Sequence, residues 1–287
     1  MRYLKINEYE KLLYELPEDL DGGIGELFWQ NTKFTSRSGR ILGLHTGYLN
    51  QAPYFVRRFF FPFKIYEGIS SLPLDILPPP PLSIGEALRR RRSPTKGEDV
   101  IIPFRVLSTI LHYSYGIVGK RRHRIKSHFG KEIELTQYLR PIPSAGGLYP
   151  LEIYVVSLRV EKLKPAIYHY NVFDSRLEMI FGPLPLASME GRLERRLIGV
   201  RPTTWLVCFF ITAIPKRQEI KYLSRAYRYI LQESGHLAQN ISLIANAYEY
   251  GILPIGGFDE ENYAEEFGFD FPDEFIVYPL LLAKPSS

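Results

Sequence analysis

The sharpest run of residues suited to chemistry is Arg140-Pro141-Ile142-Pro143-Ser144-Ala145-Gly146-Gly147-Leu148-Tyr149-Pro150, a rigid approach followed by small residues. Small residues let a backbone come close to a flat ring. Gly146 and Gly147 lack a Cβ and can turn amide groups toward a ligand, and the Ser144 hydroxyl offers a hydrogen bond. An ordinary tight turn would use the same residues. A second small-residue run, Pro254-Ile255-Gly256-Gly257-Phe258-Asp259, follows a long helical pattern and equally suits a helix-to-strand loop. Lys221-Tyr222 stands near the start of that helical pattern, with Arg225 and Arg228 on the next turns. A lysine ordinarily titrates at about 10.4, too high for a base near neutral pH, and burial beside other cations would lower it usefully. A solvated basic helix face is the alternative. In Ile84, Leu88 and Arg92, spaced at four-residue steps, an inward apolar face continues into an arginine, which would require an anion. The competing reading is a surface arginine cluster favoured by the dipole at a helix C-terminus.

Other candidates carry less. His236 and Asn240 lie one turn apart, but no third ligand stands at metal spacing and no Gly-x-Ser-x-Gly turn is present, so a packed polar contact is expected. Cys208 is the sole cysteine and sits in the apolar run Trp205 to Ile214, which excludes an intrachain disulfide and a cysteine metal cluster. The formal charge of +5 is modest, and its excess sits in Arg89 to Arg92 and Lys120 to Lys131. The second run reads as a solvated loop, without the interleaved aromatics of a nucleic-acid site. Met1 to Glu10 shows no secretory signal, and no run approaches the roughly 20 apolar residues of a spanning helix. A cytoplasmic address is the simplest expectation.

The elements that must position these residues follow from pattern. With 45% hydrophobic and 14% aromatic residues the chain is globular in composition. Leu72 to Leu82 contains a run of prolines, four of them consecutive from Pro78 to Pro81. This stiff segment is taken as a linker at 72–82 between an extension (1–81) and a main domain (82–287). Ser83 and Glu86 have capping-box spacing, so a helix should begin at Ile84. A buried helix is predicted from Pro103 to Ile117, stopping at Gly116. Leu151 to Leu158 reads as a strand, Ala166 to Tyr170 and Leu177 to Ile180 as a hairpin around Asp174-Ser175, and Thr204 to Ile214 and Phe275 to Ala283 as core strands. Glu219 to Tyr250 reads as a long helix interrupted only at Ser234-Gly235 and ended by Gly251. Strands and helices in blocks give an α+β class.

Taken in order, these pieces resemble the SagB-type dehydrogenases of the nitroreductase superfamily over roughly Leu82 to Pro285. The motifs are Arg91-Arg92-Ser93, Pro143 to Pro150 running into Glu152 to Val156, Lys221-Tyr222 with Arg225 to Tyr229 and Gly235 to Asn240, and Pro254 to Asp259. Upstream, Phe28-Trp29-Gln30-Asn31-Thr32-Lys33 looks like the family's aromatic-His-Glu-Asn-Thr-Lys stretch, with Trp29 and Gln30 departing from it. The resemblance implies a central, mostly antiparallel sheet flanked by helices, and a homodimer with FMN at its interface. It places Arg91, Arg92 and Ser93 near the flavin's phosphate and ring, the Pro143-Ser144-Ala145-Gly146 turn against the isoalloxazine, and Gly256-Gly257 on the other side. By analogy, Lys221 and Tyr222 would assist removal of a ring proton while a hydride passes to the flavin. The substrate would be a peptide thiazoline or oxazoline made by a separate cyclodehydratase, since residues 1–81 carry no motif for that step. Two departures are Thr95, where many relatives have a basic residue, and Ala283-Lys284 in place of a more usual glycine, although Lys284 could itself reach the phosphate. Two other functions fit the same motifs: an NAD(P)H-dependent nitro- or quinone reductase, which the Lys221-Tyr222 pair disfavours, and a catalytically silent homologue that binds a peptide or partner.

Overall fold

The structure is a computed structural model that describes residues 23–51, 59–126, 132–197, 204–260, 262–263 and 273–286. Its centre is made by β4 (Leu151–Ser157) and β7 (Val207–Ala213), both buried at every position. Unbroken apolar strands of this kind need cover on both faces, and they receive it. Around them β1 (Ser71–Pro73), β5 (Ala166–Asn171), β6 (Arg176–Phe181), β8 (Gly251–Pro254) and β9 (Phe275–Ala283) complete a seven-stranded sheet of order β1-β6-β5-β4-β7-β9-β8. Every pairing is antiparallel, with Leu151 opposite Ala213 and Ala213 opposite Phe275. This is the α+β arrangement the sequence predicts.

Helices α4 (Phe104–Tyr115) and α7 (Ala226–Ala247) cover one face through Leu107, Ile110, Leu111, Leu237 and Ile241. The other face packs Tyr154, Phe210 and Trp205 against Met189 and Leu193 of α5 (Leu186–Arg196). Between the strands and the segment Pro62 to Tyr66 lies a buried polar cluster. His169 bonds Glu152 and Glu178 at 3.0 Å each, and Arg217 closes on Glu152 at 2.6 Å. Burial alone would raise the Glu152 carboxyl, but Arg217 and His169 together hold it at about 2.

Several elements differ from the pattern reading. The helix α3 (Ile84–Arg90) does start where expected, with the Glu86 N–H donating to Ser83 Oγ at 3.2 Å. It ends at Arg90, however, so Arg92 lies beyond it, and Ile84 and Leu88 are exposed while Ala87 faces inward. Pro94 disfavours helical backbone just before it, and Arg91 is already extended at ψ 127°. The predicted inward stripe ending in Arg92 is therefore not formed.

The long helix also breaks elsewhere. α6 (Lys216–Tyr222) ends at Leu223, with φ 52°, and a 3-10 turn of Leu223–Arg225 leads into α7. Helix α7 runs unbroken through Ser234 and Gly235, because the flanking Glu233 and Leu237 are held in the core, and the Ser234 hydroxyl is satisfied by the Leu231 carbonyl at 2.8 Å. Glu249, at φ 62°, makes the left-handed turn assigned to Gly251, which instead opens β8. The basic run Lys120 to Arg124 is not a loop but part of β2 (Gly119–Lys126), paired with β3 (Glu132–Leu139).

Upstream of the prolines, β1 forms the sheet's edge against β6. Further upstream, α1 (Ile24–Asn31) and α2 (Ser36–Gln51) dock on α6 and α7. Arg225 donates to the Thr32 carbonyl at 2.6 Å, Arg228 donates to the Trp29 carbonyl at 2.6 Å, and His45 contacts the Ile220 carbonyl at 2.7 Å. Among the described residues no helix is long and apolar enough to cross a membrane.

Phe209 is fully buried at the centre of β7. Phe209→Ala should cost about 3–5 kcal/mol of unfolding free energy by removing that ring and leaving a void. Denaturant titration checks it; a loss under about 1 kcal/mol would contradict the packing.

Candidate functional site

The small-residue turn sits at the end of the sheet where β4 begins. Ser144 is extended, Ala145–Gly147 forms a 3-10 turn, and Gly146 and Gly147 take φ values of 65° and 66°. The Ser144 hydroxyl accepts the Tyr149 N–H at 2.9 Å and closes the turn. Both glycines are required on two counts. Their backbone conformation is one that side chains resist, and the space above each is taken. A β-carbon added at Gly146 would stand 2.7 Å from Tyr222 Oη and 3.1 Å from Lys221 Nζ, and one at Gly147 only 2.3 Å from Gln137 Nε2. The structure therefore brings Ser144 to Gly147 together with Lys221 and Tyr222.

One carboxylate fixes that meeting. Glu233 Oε1 accepts the Ala145 N–H at 2.9 Å and the Gln218 amide at 2.5 Å, while Oε2 is buried without a hydrogen-bond partner. Gln218 lies one helical turn before Tyr222, so Glu233 couples the turn to the helix that carries the Lys-Tyr pair. Burial pushes the Glu233 carboxyl up to about 7, against the pull of the Ala145 N–H, Ser144 and Gln218. Burial also lowers Lys221. That is the direction the sequence anticipates, and burial is the half of the expected cause that appears; Arg225, expected as the neighbouring cation, is engaged by Thr32 and by Tyr229 Oη at 2.9 Å. Tyr222 is raised by burial first and then by Tyr229 and Glu233, which keeps its phenol protonated.

Gln137 comes from the hairpin, where its amide oxygen pairs with His123 at 3.0 Å. Pattern reading missed Glu233, Gln218 and Gln137. A signal existed for Glu233, which occupies a core position in the stripe Ile230, Glu233, Leu237, Ile241. Gln137 had none, because its reach depends on a hairpin the sequence concealed.

The second group of candidates gathers at the far end of α7. Arg91 donates to Ser93 Oγ at 3.1 Å, and Arg92 turns back on the carbonyls of Arg89 and Arg91. Neither arginine has a carboxylate partner among the described residues. A β-carbon on Gly251 would meet Pro94 at 2.6 Å. Lys284 pairs with Glu249 at 2.8 Å, and that carboxylate is lowered by Lys284 first and more weakly by Arg90. Gly256 and Gly257 follow the edge strand β8, where Phe258 bridges Leu197. From Glu233 to the helix end at Ala247 is about 21 Å at the α-helical rise, and the two groups lie toward opposite ends of that span. His236 is exposed, and among the described residues no cluster of acidic, histidine or cysteine side chains could hold a metal.

Comparison with known proteins gives a consistent frame. The model of the Nitroreductase family matches residues 88–283. A protein of Methanocaldococcus jannaschii named as a nitroreductase is 28% identical over 206 residues, 70% of this chain and 89% of that protein. The microcin B17-processing protein McbC of Escherichia coli is 29% identical over 154 residues, about half of each chain (50% and 52%). Among solved structures, a nitroreductase-type protein of Anabaena variabilis superposes with a TM-score of 0.63 at 27% identity, over 91% of this chain. The chain spans less than half of that protein, 46% of its length. The Escherichia coli microcin synthetase McbBCD complex with truncated pro-MccB17 bound matches in fold, with a TM-score of 0.54 at 19% identity over 78% of each chain.

The Glu233 carboxyl generates a pH prediction. Its folded value is raised to about 7 from the usual 4.5, so between those limits the unfolded chain releases a proton that the folded chain keeps. Stability therefore falls as pH rises through that window. Relative to Glu233→Gln, which cannot titrate, the wild type should lose up to about 3 kcal/mol between pH 4.5 and 7. A difference between the two that stays flat with pH would contradict the assignment.

Proposed function

Because the chain belongs to the nitroreductase family, we propose that it is an FMN-dependent oxidoreductase of the SagB type, which oxidises thiazoline or oxazoline rings in peptides to thiazoles or oxazoles. The observation that carries this reading is the placement of Lys221 Nζ and Tyr222 Oη over the bare backbone of Gly146. A reductase fed by a nicotinamide donor has no need of a base there; removal of a proton from a substrate ring does. Similarity to a protein named for processing microcin B17 supports the same choice.

The residues present fit FMN in chemistry. Arg91 and Arg92, without a carboxylate partner among the described residues, would hold its phosphate with Ser93 and with Lys284 once it leaves Glu249, and the Pro143 to Gly146 turn offers backbone for close approach to its ring. Gly256 and Gly257 complete the set from the sheet edge. The separation of the two groups along α7 exceeds the reach of one FMN, whose phosphate is tied to its ring by a short ribityl chain. A homodimer meets that constraint by setting the turn of one subunit against the arginines of its partner, and exposed Ile84 and Leu88 beside Arg91 suit a buried interface.

FMN supplies the two-electron acceptor for the hydride that leaves the ring. The chain's own residues do the rest. Lys221, whose neutral form burial favours, accepts the ring proton at Nζ. Tyr222 keeps its proton and donates a hydrogen bond to the ring heteroatom. The Glu233 bonds hold both against the turn so that proton and hydride leave one oriented ring. The azoline itself would come from a separate cyclodehydratase. The Methanocaldococcus relative, matched over most of its length and named as a nitroreductase, favours a second reading, an NAD(P)H-dependent nitro- or quinone reductase.

Lys221→Ala should retain flavin at the wild-type level and lower azoline oxidation by about 10²–10⁴-fold. Normal turnover by that variant would refute the role of Lys221. Arg91→Ala should instead lose flavin on gel filtration, measured as the ratio of visible to ultraviolet absorbance; full retention would remove Arg91 from the phosphate site.

A further inference from the structure

Between the N-terminal helices and the α6–α7 break lies a cleft of about 110 Å³ that shares only Tyr222 with the chemistry above. Its inner wall is Tyr222, Leu223 and Arg225; its outer wall is Phe34, Ile41 and Leu42 of the N-terminal segment. Phe34, Ile41 and Leu223 are large apolar residues left 61%, 53% and 44% exposed. Polar groups interrupt the rim, among them Lys33 and Ser38.

The outer wall is fastened to the reactive pair. The Arg225 guanidinium lies 5.4 Å from the Phe34 ring centre and donates to both the Thr32 carbonyl and Tyr229 Oη. Tyr229 in turn packs edge-on against Tyr222 at 5.0 Å. Gly39 makes room for the wall, since a β-carbon there would come within 2.9 Å of the Phe34 ring. Leu223 sits in a backbone conformation that non-glycine residues resist, and such strain concentrates where function needs a particular exposure. Here it ends α6 directly after Tyr222 and turns the Leu223 side chain into the cleft.

We propose that this cleft binds the stretch of peptide adjoining the ring on which Lys221 and Tyr222 act, which makes the N-terminal helices part of the substrate site. The inference rests on the azoline reading of the Lys-Tyr pair. A ring held at Tyr222 leaves its flanking chain at the cleft mouth. Phe34, Ile41 and Leu42 then take one apolar side chain of the peptide, and the cationic and hydroxyl groups on the rim face its carbonyls. A free ring without flanking residues makes none of these contacts.

The test uses the full chain with its flavin and two variants at Ile41, a residue exposed enough to tolerate change. Binding of a fluorescein-labelled thiazole peptide is read by anisotropy, and anaerobic flavin bleaching is read with a thiazoline peptide and with free 2-methylthiazoline. Ile41→Trp, which fills the cleft, should weaken peptide binding at least tenfold and leave bleaching by the free ring unchanged; Ile41→Ala, which trims one wall but keeps the cleft open, should weaken binding less than Ile41→Trp does. Peptide binding unaffected by Ile41→Trp, or absent from the wild type, overturns the cleft assignment even if thiazoline peptide bleaches the flavin. Binding that Ile41→Trp abolishes, in a wild type whose flavin no azoline bleaches, upholds the cleft as a peptide site and overturns the azoline reaction instead.

Discussion

A single buried carboxylate ties the candidate site together. Glu233 Oε1 receives the Ala145 N–H from the glycine turn and the Gln218 amide from α6. Those bonds join the glycine turn directly to the helix that carries Lys221 and Tyr222. The constraint propagates outward. Helix α6 is anchored at its start by Arg217, which bonds the Tyr149 carbonyl and the buried Glu152, so the helix that carries the Lys-Tyr pair is tied to the start of β4. An uncompensated carboxylate in such a place is costly, and its elevated titration is the measure of that cost.

How much of this was legible depended on whether the cause was local. The strands Leu151 to Leu158 and Phe275 to Ala283, the Ser83 cap and the Gly116 stop carry their signals in adjacent residues, and all appear in the structure. The helix break did not, since Ser234-Gly235 looks like punctuation until its neighbours are seen buried on both sides, whereas Leu223 is a good helix former forced out of the helix by its surroundings. The basic run Lys120 to Arg124 concealed a strand because four of its five residues are cationic; its register pairs His123 with Leu135. The Arg92 stripe failed for a local reason that was present in the sequence, Pro94 two residues on.

For the site, the motifs were readable as residue types while their grouping was not. Ser144 to Gly147 and Lys221-Tyr222 meet within one subunit; Arg91 to Ser93 and Lys284 collect at the other end of α7. No spacing along a chain reveals that division, which comes from the antiparallel sheet placing the start of β4 and the end of β9 at opposite ends of the strands. The proposed homodimer follows from that geometry and from the size of the cofactor.

The proposed reaction makes an azoline ring, and not a nicotinamide, the reductant of the flavin. Anaerobic mixing of the purified protein with a thiazoline-containing peptide, followed by the visible flavin band and by mass analysis of the peptide, addresses it directly. Azoline oxidation will bleach the band with loss of two hydrogens from the peptide, with no comparable bleaching by NADH or NADPH. Rapid bleaching by a nicotinamide together with an unchanged thiazoline peptide would contradict it.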